Sequence, residues 1–445
     1  MRNLSPIHAH SDAAVFAYRD RRPIGVERFL RDVAQLAMRL PDRRYILNLC
    51  ADRYHFAVGF CAALLKRQIS LLPPNHTPDL IGQLRRRYAG VYCLTDAASG
   101  NPSLETVFYP AMSGADPAVP PVPHIPVDQI AAIVFTSGST GQPVPNEKSW
   151  GGLVRGAAAE LERLGMHAYP GIAVLGTVPP QHMYGLESTV LMAMQGGLAL
   201  HAGRPFYPAD ILAELAALPR PRCLVTTPIH LRALLAETST VPQLDFLLCA
   251  TAPLPPQLAA AAETRFGAPL YEIYGCTEAG QVATRRTVET MEWRALPGVR
   301  LRQDQQGTWV SGGHVETAVM LHDVIELRGR ARFLLHGRTA DLVNIAGKRT
   351  SLASLNYHLN SITGVHDGVF VVPETETGAA NRLTAFVVAP GLTSDTVMDA
   401  LRQRIDTAFL PRPLCLIAGL PRNGTGKLPR EALRRLVTEH ATSAD

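Results

Sequence analysis

The chain has 445 residues, 47% of them hydrophobic and 18% charged, and its formal net charge is +5 at pH 7. This length predicts a globular protein of two or three domains, and so small a net charge argues against a nucleic-acid-binding protein. No apolar run reaches the roughly 20 residues of a membrane-spanning helix. Since the N-terminus has no basic segment followed by an apolar one, neither a signal peptide nor stable membrane insertion is expected, and a cytoplasmic location is predicted.

The cysteines and arginines do not indicate a metal-binding, disulfide-bonded or nucleic-acid-binding protein. The seven cysteines lack the paired spacing of a zinc site or a disulfide framework, so we expect reduced thiols. The arginine run at 85–87 falls on a predicted amphipathic helix, where a solvated helix face is the simplest interpretation.

Over the first three quarters of the chain, short apolar runs of strand length alternate with longer segments of helical period. This alternation predicts a mixed α/β domain that is built from βαβ units. Strands are predicted at 45–50, 69–72, 223–227, 246–250 and 270–274, and helices at 54–66 and 229–236.

The last quarter of the chain predicts a smaller second domain. A strand at 333–335 is followed by GRTAD, and about 100 residues remain, which is enough for a separate unit. Strands at 368–373 and 383–389 and a helix at 396–409 indicate an α+β arrangement. We therefore predict an α/β fold with a large N-terminal domain at 1–337 and a small C-terminal α+β domain at 338–445.

The segment TSGSTG, residues 136–141, directly follows a predicted apolar strand. Its hydroxyls and glycine amides can surround phosphate oxygens, while a flexible linker of similar composition is the alternative. It is not a Walker A loop, because no Gly-Lys-Ser/Thr follows at the required spacing.

The segment YGCTEAG, residues 274–280, also follows a predicted strand. A carboxylate beside a hydroxyl at the end of a strand can hold Mg²⁺ against a phosphate, which makes Glu278 and Thr277 candidates. The alternative is that Glu278 caps a helix.

Near the C-terminus, Lys427 follows a Gly-Thr-Gly turn in LPRNGTGKLPR, residues 420–430. A lysine in such a setting can be presented to an anionic substrate as a point charge on a flexible stem. An ordinary solvated lysine is the alternative.

The three segments, together with Asp323 and GRTADLVNIAGKR at 337–349, resemble the superfamily of acyl-CoA synthetases, luciferases and peptide-synthetase adenylation domains. The likeness covers residues 40–435 and keeps the order of the motifs. It implies an AMP-forming acid–thiol ligase that uses ATP and Mg²⁺ to make an acyl-AMP and then a thioester. It also implies a mobile C-terminal domain that rotates between the two reactions.

The resemblance implies a role for individual residues in binding ATP. Glu278 matches the Mg²⁺-binding glutamate and Thr277 the hydroxyl on the α-phosphate, while Lys427 matches the lysine that bridges the substrate carboxylate and the α-phosphate. The other matched positions are Thr136, Ser137, Gly138, Ser139, Thr140 and Gly141 on the β- and γ-phosphates; Thr251, Ala252 and Pro253 in the adenine pocket; Tyr274 and Gly275 beside the nucleotide; and Asp323 and Arg338 on the ribose.

A further match places His182, with Tyr184, between the acyl pocket and the thiol tunnel. The chain also departs from the family, because Val144 and Pro145 replace the lysine and glycine that usually end the phosphate loop. Lys148 is the predicted substitute for that lysine, with an exposed loop lysine as the alternative, and Trp150 is expected to pack the loop down.

The predicted hinge between the domains is a second departure. Ala340 falls where the family commonly has a charged hinge residue, and Asp341 follows it, so either residue is a candidate hinge. A glutamate of the family is also missing, with Asn356 near its place.

The short chain and the KSW variant of the loop resemble stand-alone ligases of aryl-polyene and xanthomonadin-type pigment pathways, which load a hydroxybenzoate onto the phosphopantetheine of an acyl carrier protein. The predicted substrate is therefore an aromatic carboxylic acid, 3- or 4-hydroxybenzoate, and the predicted acceptor is an acyl carrier protein or coenzyme A. The alternatives are an aryl- or fatty-acyl-CoA synthetase, an amino-acid adenylating enzyme and a nucleotide-binding regulator with impaired catalysis.

Overall fold

A computed structural model describes residues 3–7, 14–101, 103–112, 121–137, 143–338, 342–345, 348–373, 383–422 and 428–441. The strands are β1 (Asn3–Leu4), β2 (Val15–Arg19), β3 (Arg22–Gly25), β4 (Tyr45–Asn48), β5 (Ile69–Leu72), β6 (Tyr92–Thr95), β7 (Thr106–Phe108), β8 (Ile125–Pro126), β9 (Ile130–Ser137), β10 (Pro143–Ser149), β11 (Ala173–Gly176), β12 (Ala199–His201), β13 (Arg222–Thr226), β14 (Phe246–Cys249), β15 (Leu270–Cys276), β16 (Gly280–Arg285), β17 (Trp293–Ala295), β18 (Arg300–Asp304), β19 (Gly307–Gly312), β20 (Val315–Leu321), β21 (Asp323–Leu327), β22 (Arg332–Arg338), β23 (Leu342–Ile345), β24 (Lys348–Ser351), β25 (Asp367–Val371), β26 (Thr384–Val388) and β27 (Leu414–Leu416).

The helices lie between these strands. They are α1 (Val26–Arg39), α2 (Arg53–Leu65), α3 (Pro78–Arg87), α4 (Trp150–Leu164), α5 (Met183–Gly185), α6 (Met192–Gly196), α7 (Pro208–Ala217), α8 (Pro228–Ala236), α9 (Pro256–Phe266), α10 (Leu352–Asn360), α11 (Ser394–Arg402) and α12 (Arg430–Ala441). A π-helical segment, Leu186–Leu191, joins α5 to α6. Among the described residues, no helix is long and apolar enough to cross a membrane.

The first large sheet has six strands in the order β10-β9-β5-β4-β6-β7. Its strands run parallel except β10, which folds back antiparallel to β9. The helix between β4 and β5 is α2, and it is buried almost all round. Its first turn is capped by the carboxylate of Asp52, which accepts the His55 N–H.

The second large sheet has eleven strands in the order β21-β22-β17-β16-β15-β14-β13-β11-β12-β2-β3. The run from β2 to β15 is parallel, and the strands from β16 to β21 pair antiparallel. The parallel strands are short apolar runs because both of their faces are covered. One hydrophobic cluster joins residues of both sheets with α2, α4 and the π-helical segment, and Trp150 lies fully buried inside it.

The C-terminal region forms a separate hydrophobic core. Strands β25, β26 and β27 make a three-stranded sheet that packs with α10 and α11. The predicted fold, a large N-terminal domain of mixed sheets and helices with a small C-terminal α+β domain, is confirmed. The boundary between 337 and 338 stays a prediction.

Most predicted elements lie within one or two residues of the observed ones, but the helix predicted at 396–409 is wrong. Helix α11 ends at Arg402, and a separate short turn covers Thr407–Phe409. The Asp406 carboxylate caps that turn by accepting the Ala408 N–H. Phe409 is buried in the same core as the apolar residues of α11. Its spacing from them fits a helical period, so the sequence pattern is that of one longer helix.

Candidate active site

Two of the predicted nucleotide-binding segments lie at one edge of the second sheet. Strands β14 and β15 are parallel neighbours, so the chain leaves both at their carboxyl ends on the same side. Thr251, Ala252 and Pro253 follow β14, and Thr277 and Glu278 follow β15. The structure therefore brings the predicted adenine segment and the predicted metal segment to a common edge.

The adenine segment begins with a strained residue. Thr251 has a positive φ of 84°, which is uncommon for a β-branched residue. Backbone strain of this kind collects at ligand sites, where the surrounding structure holds it in place. The N–H of Leu254, just beyond the segment, donates to the buried carboxylate of Glu272 on β15.

Glu278 lies in a tight turn between two strands. Strands β15 and β16 form an antiparallel hairpin, and the turn between them contains Thr277, Glu278 and Ala279. The alternative that Glu278 caps a helix is therefore wrong. Its side chain is exposed, that of Thr277 is half-buried, and Gly280 closes the turn with a positive φ of 76°.

Strands β9 and β10 place Lys148 against this turn. Thr136 pairs with Val144 across the two strands, and the Val144 side chain is 48% exposed. Lys148 lies further along β10, and its Nζ donates to the backbone carbonyl of Glu278 at 2.6 Å. Although the sequence predicted a phosphate contact for Lys148, the contact that the structure gives it is with the turn that carries Glu278.

The end of β10 is anchored firmly. Ser149 caps α4 by accepting the Gly152 N–H, and its hydroxyl donates to Glu316 at 2.8 Å. The Trp150 indole is buried and donates to the carbonyl of Leu4. Trp150 therefore fastens the junction of β10 and α4 to the core, while its expected packing against the phosphate loop stays a prediction.

An open cleft lies beside the turn. It is lined by polar side chains from β10, by Glu278 and by Glu187 of the π-helical segment, with Met183, His314 and Val319 completing part of its wall. Glu187 is only 4% exposed. Burial, with a contribution from Glu160, raises the pKa of Glu187 to about 8, whereas Lys148 acts to lower it.

Lys148 is the basic group in the cleft that interacts with the Glu187 carboxyl. Burial lowers the pKa of Lys148, and the nearby carboxylates act in the opposite direction, with Glu187 the strongest of them. Each group therefore compensates part of the cost of burying the other.

A second buried carboxyl lies behind the cleft. Glu160 on α4 is fully buried, and its Oε1 accepts the Ser188 hydroxyl at 2.7 Å. The Gln281 amide donates in turn to Ser188 Oγ at 2.8 Å. Burial raises the pKa of Glu160 to about 7, so this carboxyl holds a proton well above the ordinary range of a glutamate.

The two residues predicted on the ribose share one end of the sheet. Strands β21 and β22 pair Asp323 with Arg338. The hydroxyl of Tyr274 donates to Asp323 Oδ2 at 2.7 Å, and the Tyr274 ring packs against Trp293 and Phe333. Tyr274 thus orients the Asp323 carboxylate, a contact that the sequence did not predict. Gly275 is exposed beside it.

His182 precedes the short helix α5, half-buried, and the next residue, Met183, lines the cleft. The Tyr184 hydroxyl donates to the carbonyl of Thr226 at the end of β13. These contacts place the segment beside the predicted site, while the role of His182 stays a prediction.

Several predicted residues lie outside the part of the chain that is described. They are Gly138, Ser139, Thr140 and Gly141 of the phosphate loop, the candidate hinge residues Ala340 and Asp341, the catalytic candidate Lys427, and the side chains of Ser137 and Arg338. Asn356, near the place of the missing glutamate, accepts the Phe370 N–H and so has a structural contact within the small domain.

The sequence analysis missed Glu160, Glu187, Gln281 and His314. A signal existed for Glu187, since it is an acidic residue in the otherwise apolar run that follows PPQHMYG. The other three have no local signal, because strands or helices that are distant in sequence bring them together.

The described groups fit ATP with Mg²⁺. The Glu278 carboxylate and the Thr277 hydroxyl are the hard oxygen ligands that Mg²⁺ prefers, and they lie on an accessible turn. No cluster of three or more potential metal-binding side chains occurs in the described ranges. Mg²⁺ characteristically takes one or two carboxylates and completes its shell with substrate phosphates and water, which matches a single carboxylate here.

The family of AMP-binding enzymes matches residues 36–315, and the chain belongs to it. Enzymes of this family use ATP with Mg²⁺, so the predicted cofactors are confirmed at this level.

Curated relatives narrow the class further. A 4-coumarate–CoA ligase of Rhodobacter capsulatus is 28% identical over 278 residues, which cover 62% of this chain and 68% of that protein. A 3-hydroxybenzoate–CoA/4-hydroxybenzoate–CoA ligase of Thauera aromatica is 22% identical over 352 residues, covering 70% and 67%. The predicted enzyme class, an AMP-forming acid–thiol ligase, is confirmed.

Solved structures agree on the fold. The o-succinylbenzoate CoA synthetase of Bacillus subtilis, in complex with its acyl-adenylate intermediate, has a TM-score of 0.78 at 18% identity, with 95% of each chain covered. ATP-bound MatB from Rhodopseudomonas palustris has a TM-score of 0.77 at 18% identity, covering 93% of this chain and 94% of that one.

Proposed function

We propose that the chain activates an aromatic carboxylic acid with ATP and passes the acyl group to a thiol, with 3- or 4-hydroxybenzoate as the substrate. The observation that carries the proposal is the common sheet edge, where Glu278, held by Lys148, lies with the segment from Thr251 to Pro253. The relatives whose names specify an aromatic acid, among them the hydroxybenzoate ligase, support this substrate class.

The first step requires a carboxylate and ATP, both negatively charged, to meet. When bound, Mg²⁺ neutralises phosphate charge and polarises the α-phosphate. In the proposal Glu278 holds that ion, Thr277 donates to the α-phosphate and Lys427 bridges the two reacting groups. Positive charge at the reacting phosphorus is effective because it stabilises the charge that develops there.

The nucleoside end of ATP has its own set of residues. We assign Thr251, Ala252 and Pro253 to the adenine, and Asp323 with Arg338 to the ribose. The Tyr274 hydroxyl fixes the Asp323 carboxylate, so that this acceptor is oriented before the ribose hydroxyls arrive.

The triphosphate end is assigned to the loop from Thr136 to Gly141. With Val144 exposed in place of the usual lysine, Lys148 supplies the positive charge on that side. It does so from beside Glu278, which places a cation and a metal-binding carboxylate at the same phosphate group.

The acceptor thiol has two candidates. The phosphopantetheine of an acyl carrier protein is our first choice, as in the pigment-pathway ligases that the chain resembles, with the domain hinge at Ala340 or Asp341. Coenzyme A is the second, and the naming of the relatives as CoA ligases favours it. His182 is proposed to border the path of the thiol. A cytoplasmic location stays part of this proposal.

The test is ATP–pyrophosphate exchange over a panel of benzoates, cinnamates, fatty acids and amino acids. It is followed by acyl transfer to coenzyme A and to holo acyl carrier protein. We expect exchange with hydroxybenzoates and transfer to one of the two thiols. Exchange with none of the acids would overturn the proposed reaction, and a preference for long aliphatic acids would overturn the aromatic substrate.

A further inference from the structure

Glu187 packs directly against the turn that carries Glu278. A side chain at position 280 would place its Cβ 2.7 Å from Glu187 Oε1, so the carboxylate lies where only glycine leaves room. The backbone N–H of Gln281 also hydrogen-bonds to Glu187. One face of the turn is therefore fixed by a carboxylate that is buried and comes from a different element.

The other face of the turn is fixed by Lys148. Its ammonium donates to the Glu278 carbonyl, and Glu187 is the strongest of the carboxylates that favour the charged lysine. The turn thus lies between a buried carboxyl and an ammonium, and each of these two groups favours the charged form of the other. Neither partner forms part of the hairpin of β15 and β16.

A buried carboxylate is costly unless its surroundings compensate it, and a neutral side chain of similar volume would pack as well. We propose that Glu187 is a positioning residue that, together with Lys148, fixes the turn so that the Glu278 carboxylate is aimed at the metal ion. This inference rests on the proposed role of Glu278. Groups that orient a metal ligand influence metal affinity although they do not touch the metal.

The experiment measures ATP affinity by calorimetry, first without Mg²⁺ and then with saturating Mg²⁺. The ratio of the two affinities is the metal-dependent gain in ATP affinity. The variants are Glu187→Gln, Lys148→Met and the double variant. Glu162→Gln is the control, because Glu162 is an exposed glutamate on α4 that does not line the cleft.

We expect Glu187→Gln to reduce the metal-dependent gain by about tenfold or more, with little change in the affinity for metal-free ATP. Because Glu187 acts together with Lys148, its substitution should have a much smaller effect in the Lys148→Met background. Glu162→Gln should retain the whole metal-dependent gain in ATP affinity.

Two outcomes overturn the inference: a full metal-dependent gain in Glu187→Gln, or an equal loss from that substitution in both backgrounds. Glu187→Asp, which keeps the charge, serves if the glutamine variant does not fold. Glu187→Asp should retain more of the metal-dependent gain in ATP affinity than Lys148→Met does. An equal loss of that gain in the two variants counts against the inference.

Acid-dependent pyrophosphate exchange of the unaltered protein is measured alongside. Its absence, with a normal metal-dependent gain in ATP affinity, overturns the proposed function and leaves the positioning role in place.

Discussion

The acidic side chains at the cleft of the large domain and those of the small domain lie in different surroundings. Glu187 lines the cleft and Glu160 lies behind it; both are almost fully buried and are contacted by groups from neighbouring elements. In the small domain, Asp367 binds Arg422 through two hydrogen bonds of 2.7 and 2.9 Å near the surface.

Two of the contacts between the large and the small domain are polar. Arg232 on α8 lies 3.9 Å from Asp367, and Gln257 on α9 donates to the carbonyl of Ser361 at 3.2 Å. Contacts of this kind cost little to exchange, since water can replace them. Such contacts would let the small domain change its orientation while the cleft stays fixed, as the family resemblance implies.

Lys427→Ala is expected to have the largest effect on pyrophosphate exchange, because it removes the charge that, in our proposal, the small domain contributes. Pyrophosphate exchange should fall by about 100-fold or more, while ATP binding changes little. The comparison is with Lys66→Ala, at the end of α2 and away from the site. Near-normal exchange in the Lys427 variant would show that the small domain contributes no charge to adenylation.

Asp367→Asn tests the ion pairs of Asp367, with Arg422 inside the small domain and with Arg232 of the large domain, and should have an intermediate effect on pyrophosphate exchange. The substitution weakens the paired hydrogen bonds to Arg422, which lies five residues before Lys427. We expect exchange to fall about tenfold, and thioester formation from supplied acyl-AMP to fall less.

Gln257→Ala is the control for Asp367→Asn, since it removes a hydrogen bond between the regions but leaves the Asp367–Arg422 pair in place. Its two half-reactions should change together. If Asp367→Asn lowered both half-reactions equally, the contact would be merely structural.

Glu160→Gln should have the smallest effect on pyrophosphate exchange. Its main effect is on the pH dependence of the free energy of unfolding. The folded protein holds a proton on Glu160 up to a pKa of about 7, whereas the unfolded chain releases it at an ordinary glutamate pKa. The folded state therefore loses stability as pH rises between these two values. Glu160→Gln should remove that loss, on the order of 3 kcal/mol, in denaturant unfolding measured from pH 4 to pH 8.

Ser188→Ala is the control for this measurement, because it removes a hydrogen bond to Glu160 but keeps the carboxyl. It should retain the pH dependence of the natural protein. An unchanged pH dependence in Glu160→Gln would mean that Glu160 is not the group that holds the proton.

The sequence predicted the fold class and most element bounds because apolar runs and breakers are local signals. β5 was predicted without error, and β4, β13 and β14 within two residues. The exception, the helix at 396–409, failed because a capped turn at Asp406 divides it. The joining of strands into one sheet of eleven had no local signal, since its order depends on contacts between distant segments.

For the site as well, the sequence predicts residues that belong to local motifs but not partners that are distant in the chain. Thr277, Glu278 and Asp323 were predicted as site residues because each belongs to a motif with fixed spacing. The counter-charge of Lys148 was not, because Glu187 lies 39 residues away and only the folded chain brings the two to one cleft. Buried polar partners of this kind are tertiary features, and a motif does not record them.

Acid-dependent ATP–pyrophosphate exchange with 4-hydroxybenzoate, compared between the unaltered protein and Glu278→Gln, tests the central claim most directly. We predict exchange that depends on the acid in the unaltered protein and falls by about 100-fold or more in the variant. Exchange that is equal in the two proteins, or absent with every aromatic acid, would contradict the claim that this cleft activates an aromatic carboxylate.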